Sequence, residues 1–233
     1  MATKRSKRYN EAIKLVDSTK NYGLDEAINI LKKFPAPKFN PTVTISFRLG
    51  VDPRQSDQMV RGTCPLPHGS GKEVRVLVLA EGDAATAAQA AGAEHIGYAE
   101  PIKKIQEGWL DFDVVIATPA AMAEVRKLGR QLGPRGLMPN PRNGTVTDDT
   151  AAAVKAVKAG RADFKLDKNG NISSGVGKLS FSVEQLKENA QAVIDTVVAA
   201  KPAVARGIYM VAITLAASMC PGVSLDVSPY RTN

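Results

Sequence analysis

The sequence is poor in the residues that build metal sites, disulfide frameworks and membrane spans. Its 233 residues include only two cysteines, Cys64 and Cys220, and two histidines. This set contains no C-x-x-C motif and nearly excludes a zinc site with Cys and His ligands. Two cysteines so far apart are typical of a reducing cytoplasm and not of a disulfide scaffold. No apolar run approaches about 18 residues, so the sequence predicts no membrane span.

The start of the chain, MATKRSKRY, is basic but lacks the apolar stretch of a signal peptide. We therefore expect a cytoplasmic protein. The basic run formed by Lys4, Arg5, Lys7 and Arg8 is either a solvated tail or a contact to a nucleic-acid backbone. In isolation the sequence favours the tail.

The glycine-rich stretches that resemble nucleotide-binding motifs are incomplete. In the segment containing HGSGKE, Leu66 stands where a P-loop requires glycine, and Glu73 stands where it requires serine or threonine. In GVGKLS the same two positions are Ile172 and Leu179. The loop AEGDAAT has one glycine and cannot be a dinucleotide fingerprint. We therefore expect no nucleotide cofactor.

Two small polar groupings contain residue types that occur in catalytic sites. His68 and Ser70 have neither an orienting acid nor a nucleophile elbow beside them, so a turn is the simpler interpretation. Asp111 and Asp113 flank Phe112 before a strand, where a solvated strand entry is commoner than acid–base chemistry. The sequence thus predicts no enzymatic activity, although an α/β enzyme that uses the middle of the chain is the rival hypothesis.

Hydrophobic patterning divides the chain into outer segments and a middle. TVTISFRLGV alternates, as a half-buried strand does, whereas VRVLVLA and DVVIATP are continuous apolar runs typical of parallel strands covered on both faces. The fold class is therefore α/β with two domains. We expect a discontinuous outer domain, with an antiparallel sheet and helices, at residues 1–69 and 161–233. An inserted Rossmann-like domain with a mainly parallel sheet is expected at residues 70–160.

Turns and breaks refine this plan. The run AAMAEVRKLGRQLG is predicted as one helix, and the Gly- and Pro-rich stretch 128–149, which overlaps the end of this run, as a connection. ADFKLDKNGNISSGVGKLSF is predicted as a hairpin with its turn at Asn169 and Gly170. GIYMVAITLAAS and VSLDVS form a second strand pair, joined by a tight turn around Met219. Hairpin turns are usually polar, so the methionine is either tucked under the turn or presented to a partner.

The net charge of +8 lies in the outer segments. Residues 70–160 contain 11 basic and 11 acidic side chains, so they contribute nothing to it. A basic protein tends to bind polyanions such as nucleic acid. If this chain binds one, electrostatics point to the outer domain.

Four phrases carry a family resemblance over nearly the whole chain. These phrases closely resemble the bacterial ribosomal protein L-one family, the stalk proteins of the large subunit: GVDPRQSDQMVRGTCPLPHGSGKEVRV, GWLDFDVVIATP, LGPRGLMPNPRNGTV and VGKLSF. The resemblance implies a monomer within the ribosome whose outer domain binds large-subunit ribosomal RNA. It further implies a role in release of exit-site tRNA and repression of the protein's own operon mRNA.

The same resemblance implies the RNA-binding residues. They are Phe39 and Thr42, with Lys38 beside the aromatic ring, and the turn Ser218, Met219 and Cys220. The family turn normally reads Thr-Met-Gly, so the cysteine at position 220 departs from the pattern. If that position required a positive φ, cysteine would be strained there. Ser173 stands where relatives often have histidine, so an imidazole contact is not expected.

Overall fold

A computed structural model describes residues 5–230 of the protein, apart from the side chain at position 142. The helices are α1 (Lys7–Ile13), α2 (Leu24–Lys33), α3 (Asp83–Ala90), α4 (Ala99–Gln106), α5 (Met122–Val125), α6 (Gly129–Leu132), α7 (Thr150–Ala159) and α8 (Val183–Ala199). The strands are β1 (Thr42–Leu49), β2 (Arg61–Pro65), β3 (Val76–Leu79), β4 (His95–Gly97), β5 (Val114–Ala117), β6 (Arg161–Lys165), β7 (Asn171–Lys178), β8 (Met210–Ala217) and β9 (Val223–Leu225). Across this described range, no helix combines the length and the apolar character needed to span a membrane.

The chain forms two compact units. The first, which we call the outer unit, combines Met1–Gly71 with Ala162–Asn233, and the second, the inserted unit, is Lys72–Arg161. The sequence changes from alternating segments to continuous apolar runs near residues 66–72, and back to alternating segments near residues 159–162.

The outer unit is built on a four-stranded antiparallel sheet in the order β7-β1-β8-β9. The central strand β1 alternates as its sequence predicts. Val43, Ile45, Phe47 and Leu49 are buried, and the side chains between them are partly or fully exposed. Helices α2 and α8 pack against the sheet. One face of β1 therefore belongs to the core, and its other face remains accessible.

Helix α8 has a complete start signal in its sequence. The Ser182 hydroxyl accepts from the Gln185 backbone, and the Gln185 side chain accepts from the backbone N–H of Ser182, which forms a capping box. The buried stripe of this helix recurs at helical spacing: Leu186, Ala190, Val193, Ile194 and Val197. This pattern holds the helix against the sheet.

The predicted hairpin over residues 162–181 is wrong in its pairing. Strand β6 pairs with β2 in a separate two-stranded sheet, whereas β7 pairs with β1. The turn itself forms: the Asp167 carboxylate accepts from the backbone N–H groups of Asn169 and Asn171 at 2.8 and 2.7 Å. The two strands therefore diverge into different sheets directly after a tight turn.

The inserted unit is a parallel three-stranded sheet in the order β4-β3-β5. Along β3, Val76 and Val78 pack in a cluster with α3 and α7, while Leu77 and Leu79 pack in a second cluster with α4 and the residues that follow β5. All four side chains are fully buried, which explains the continuous apolar run. The predicted α/β class, with an antiparallel outer sheet and a parallel inserted sheet, is confirmed.

The expected single helix after β5 is wrong. The run is divided into α5, a 3-10 turn and α6, and its side chains Leu128 and Leu132 are buried. Beyond it, the Ala117 N–H donates to the Thr145 carbonyl at 2.9 Å, and Val146 bridges Ala117 in parallel orientation. The stretch over residues 128–149 is thus an ordered connection that returns to β5.

Candidate nucleic-acid interface

Three segments of the outer unit meet at one end of the four-stranded sheet. The Thr42 carbonyl accepts from the backbone N–H of Ser218 at 3.0 Å and from its hydroxyl at 3.3 Å. The Pro41 carbonyl accepts from the N–H of Leu179 at 2.9 Å. The three segments, residues 40–42, 178–180 and 218–220, are far apart in sequence. Their hydrogen bonds create one continuous surface, which we call the turn surface.

The turn between β8 and β9 presents Met219 to solvent. The Cys220 N–H donates to the Ala217 carbonyl at 2.9 Å, which closes a four-residue turn. Met219 is the third residue of this turn, has φ +60° and leaves 70% of its surface exposed. A positive φ at the third position resembles a type II turn, where glycine or asparagine is normally preferred. Of the two alternatives for this methionine, tucked or presented, the structure has it presented.

Cys220 does not have a positive φ, so its backbone is not strained in the way that the family pattern would imply. Within residues 5–230, Met219 is the only residue other than glycine with a positive φ. Cys220 is a free thiol of intermediate exposure and packs against the core of the outer unit. The backbone strain of this turn therefore belongs to the methionine, one residue before the departure from the Thr-Met-Gly pattern.

Phe39 and Lys38 lie directly before the turn surface on the chain. Phe39 leaves 49% of its surface exposed, which is unusual for an aromatic side chain without a polar group, and Lys38 is exposed as well. Both precede Thr42, whose carbonyl binds Ser218. The structure thus joins Thr42 directly to the turn, and the other two residues lie a few positions upstream in exposed backbone.

Two cations at the turn surface were not predicted as site residues. The Lys178 ammonium donates to the Thr42 hydroxyl at 2.9 Å. The Arg8 Nη2 donates to the Met219 carbonyl at 2.9 Å. For Arg8, the prediction of a solvated tail is wrong, whereas Lys4 of the same run lies outside the described residues. No local signal in the sequence pairs either cation with its partner.

The accessible face of the sheet carries a shallow polar concavity of about 400 Å³. Its lining includes Ser46 and Ser173, whose hydroxyls lie 2.9 Å apart, together with Arg48. Asp167 also lines the concavity, and hydrogen bonds from the backbone N–H of Asn171 and its neighbours lower the pKa of this carboxyl. The concavity therefore offers hydroxyl donors, one cation and an ionised acceptor in the same area.

The two polar groupings around His68 and Asp113 make structural contacts. The His68 Nε2 lies 2.6 Å from a Glu188 carboxylate oxygen, and the backbone N–H of His68 donates to the Asn189 side-chain oxygen at 3.0 Å. Asp113 accepts from Lys72 at 2.6 Å, and this hydrogen bond lowers the pKa of Asp113 despite partial desolvation. In the described part of the chain, no three His, Cys, Asp or Glu side chains form a group suited to a metal ion.

Comparison with known families adds one finding. The model of the ribosomal protein L1p/L10e family matches residues 31–221 of the chain. The match includes both of the segments that contain Thr42 and Ser218.

Proposed function

Since the chain belongs to the ribosomal protein L1p/L10e family, we propose that the turn surface is its contact surface for ribosomal RNA. As a member of this family, the chain is a structural protein of the large ribosomal subunit that binds ribosomal RNA. The proposal assigns RNA contacts to Lys38, Phe39, Thr42, Ser218, Met219 and Cys220.

One observation carries the proposal. Two hydrogen bonds from Ser218 to the Thr42 carbonyl join segments 176 residues apart, and Met219 stands exposed on the joined surface. Exposed aromatic and apolar side chains beside hydroxyls and cations suit single-stranded or bulged RNA, whose unstacked bases can pack on them. The exposed ring of Phe39 and the ammonium of Lys178 supply these features on the neighbouring segments.

The distribution of charge supports the outer unit as the RNA-binding part. The inserted unit has 12 basic and 11 acidic side chains, a net charge of +1, which leaves +7 of the total of +8 on the outer unit. Long-range attraction to phosphates depends on this net charge, so the outer unit contributes most of it.

The wider role follows from the resemblance to the bacterial stalk protein. In this proposal the protein acts without catalysis or cofactor, as a monomer within cytoplasmic ribosomes. The inserted unit takes part in release of exit-site tRNA. The same turn surface binds a similar fold in the protein's own operon mRNA and represses its translation.

The test is a titration of a large-subunit RNA fragment with the wild type and with two variants, Phe39→Ala and Met219→Ala. Each substitution is expected to weaken binding by about 1–3 kcal/mol, because a stacked or apolar contact is lost. The slope of log affinity against log salt should stay the same, since neither side chain neutralises a phosphate. Val204→Ala, at a side chain with 55% exposure in the same unit, is the control. Unchanged affinity in both test variants would remove the turn surface from RNA recognition.

A further inference from the structure

Arg8 connects the N-terminal helix to the strained residue of the turn. Its Nη2 donates to the Met219 carbonyl at 2.9 Å, across 211 positions of sequence. A guanidinium-to-carbonyl hydrogen bond is charge-assisted and is stronger than a bond between neutral groups. The accepting carbonyl belongs to the residue with φ +60°. The bond therefore acts directly on the backbone conformation that presents the methionine.

Helix α1 holds Arg8 in place from both sides. The Ser6 hydroxyl accepts from the Tyr9 N–H at 3.3 Å and caps the start of the helix. Ala12, one turn after Arg8, is 2% exposed and packs in the core of the outer unit. The guanidinium consequently reaches the turn from an anchored backbone and not from a free tail.

The second amino group of Arg8 argues against a direct phosphate contact. Nη1 is buried and has no hydrogen-bond partner among residues 5–230. A buried cationic donor without a partner costs free energy, so this arrangement persists against a penalty. An RNA phosphate cannot reach Nη1 unless the turn or the helix moves. The geometry suits a group that shapes the protein surface.

A non-glycine residue with a positive φ requires such support. The left-handed conformation is unfavourable for L-residues and persists only where surrounding contacts impose it. The Met219 turn has its own closing bond from Cys220 to Ala217, and its preceding residue is bonded to Thr42. Arg8 supplies the contact to the carbonyl of Met219 itself.

We propose that Arg8 is a positioning residue of the RNA-contact turn. Its guanidinium holds the carbonyl of Met219, and so keeps the methionine side chain presented in the free protein. The inference rests on the proposed function, because presentation matters for affinity only if Met219 contacts RNA. Without Arg8 the turn samples other conformations, and RNA binding must first restore the presented one.

The experiment is a double-mutant cycle of Arg8→Ala and Met219→Ala in the full chain, with the same RNA fragment at several salt concentrations. Arg8→Ala should weaken binding about tenfold, equivalent to about 1.4 kcal/mol, with an unchanged salt slope. In the Met219→Ala background it should change affinity by less than about threefold, because the group that it positions is already gone. Lys7→Ala, which removes an exposed charge from the same helix, is the control and should have little effect.

A second measurement does not depend on RNA. The methyl resonance of Met219, identified by its loss in Met219→Ala, should shift and broaden in free Arg8→Ala but not in free Lys7→Ala. An unshifted methyl resonance would overturn the positioning role. So would additive losses in the cycle with a salt slope reduced by about one, which indicate a phosphate contact. If Met219→Ala binds RNA normally while Arg8→Ala shifts the methyl resonance, Met219 is not an RNA contact, and only the positioning contact within the protein remains.

Discussion

Asn189 is the polar side chain on which the stability of the outer unit should depend most. It lies in α8 with 0% exposure, and its amide makes three hydrogen bonds to backbone. Its oxygen accepts from the His68 N–H at 3.0 Å, and its nitrogen donates to the carbonyls of Gly69 and Val176 at 3.0 and 2.8 Å. One side chain thus fastens the segment at residues 68–69, close to the boundary of the two units, and the strand β7.

Asn189→Ala removes all three bonds at once. The Val176 carbonyl is buried, so leaving it unpaired costs about 1–3 kcal/mol, whereas water can reach the two partly buried groups, at about 0.5–1.5 kcal/mol each. We expect the free energy of unfolding of the outer unit to fall by about 2–6 kcal/mol. With a slope of about 2 kcal/mol per molar urea, the midpoint should move down by about 1–3 M.

Urea unfolding followed by two probes tests this prediction. The single tryptophan, Trp109, lies in the inserted unit, so its fluorescence reports on that unit, while far-ultraviolet circular dichroism reports on both. The dichroism transition of the outer unit should move and the tryptophan transition should stay. Glu188→Ala is the control, because it removes only an exposed contact to His68 and should cost about 0–1 kcal/mol. A loss below about 1 kcal/mol for Asn189→Ala, or equal losses in both variants, would refute the reasoning.

Cys220→Gly should bind RNA no more tightly than the wild type, because the strained φ is at Met219 and not at position 220. It should lose about 1 kcal/mol of stability, because glycine has more backbone freedom in the unfolded chain. A tenfold gain in RNA affinity, measured by titration, would contradict this prediction. The pKa of Asp113 is lowered chiefly by the Lys72 hydrogen bond, so the ionised carboxylate should stabilise the fold fully above about pH 4 and progressively less as the pH falls further. In Asp113→Asn, acid unfolding followed by tryptophan fluorescence should lose this pH dependence. The same pH dependence in the variant and the wild type would refute the prediction. Replacing residues 72–161 by a short Gly/Ser linker should leave a folded outer unit. Its RNA affinity should be within about tenfold of that of the full chain, with the same salt slope. A hundredfold loss of affinity in a well-folded product would show that the inserted unit belongs to the binding site.

Most of the secondary structure could be predicted because its causes are local. The alternation of Val43, Ile45 and Phe47 reports a strand with one buried face, whatever strands lie beside it. The continuous run VLVL reports a strand covered on both faces. The capping box at Ser182 marks the start of α8 within four residues of sequence. Such signals depend on side-chain period and caps, which neighbouring residues alone specify.

Strand pairing and long-range contacts depend on the folded chain. Asn169 and Gly170 formed the expected turn, yet β6 and β7 joined different sheets, because burial against the whole core decides which edge a strand occupies. The family pattern predicts strain at Cys220 if that position has a positive φ, but in the formed turn the positive φ is at Met219. Arg8 and Met219 are 211 positions apart, and a hydrogen bond over that separation leaves no trace in local sequence. Side-chain periodicity and helix caps therefore specify the helices and strands. Which strands pair, which side chains meet and where the backbone is strained are decided only when these elements pack together around a common core.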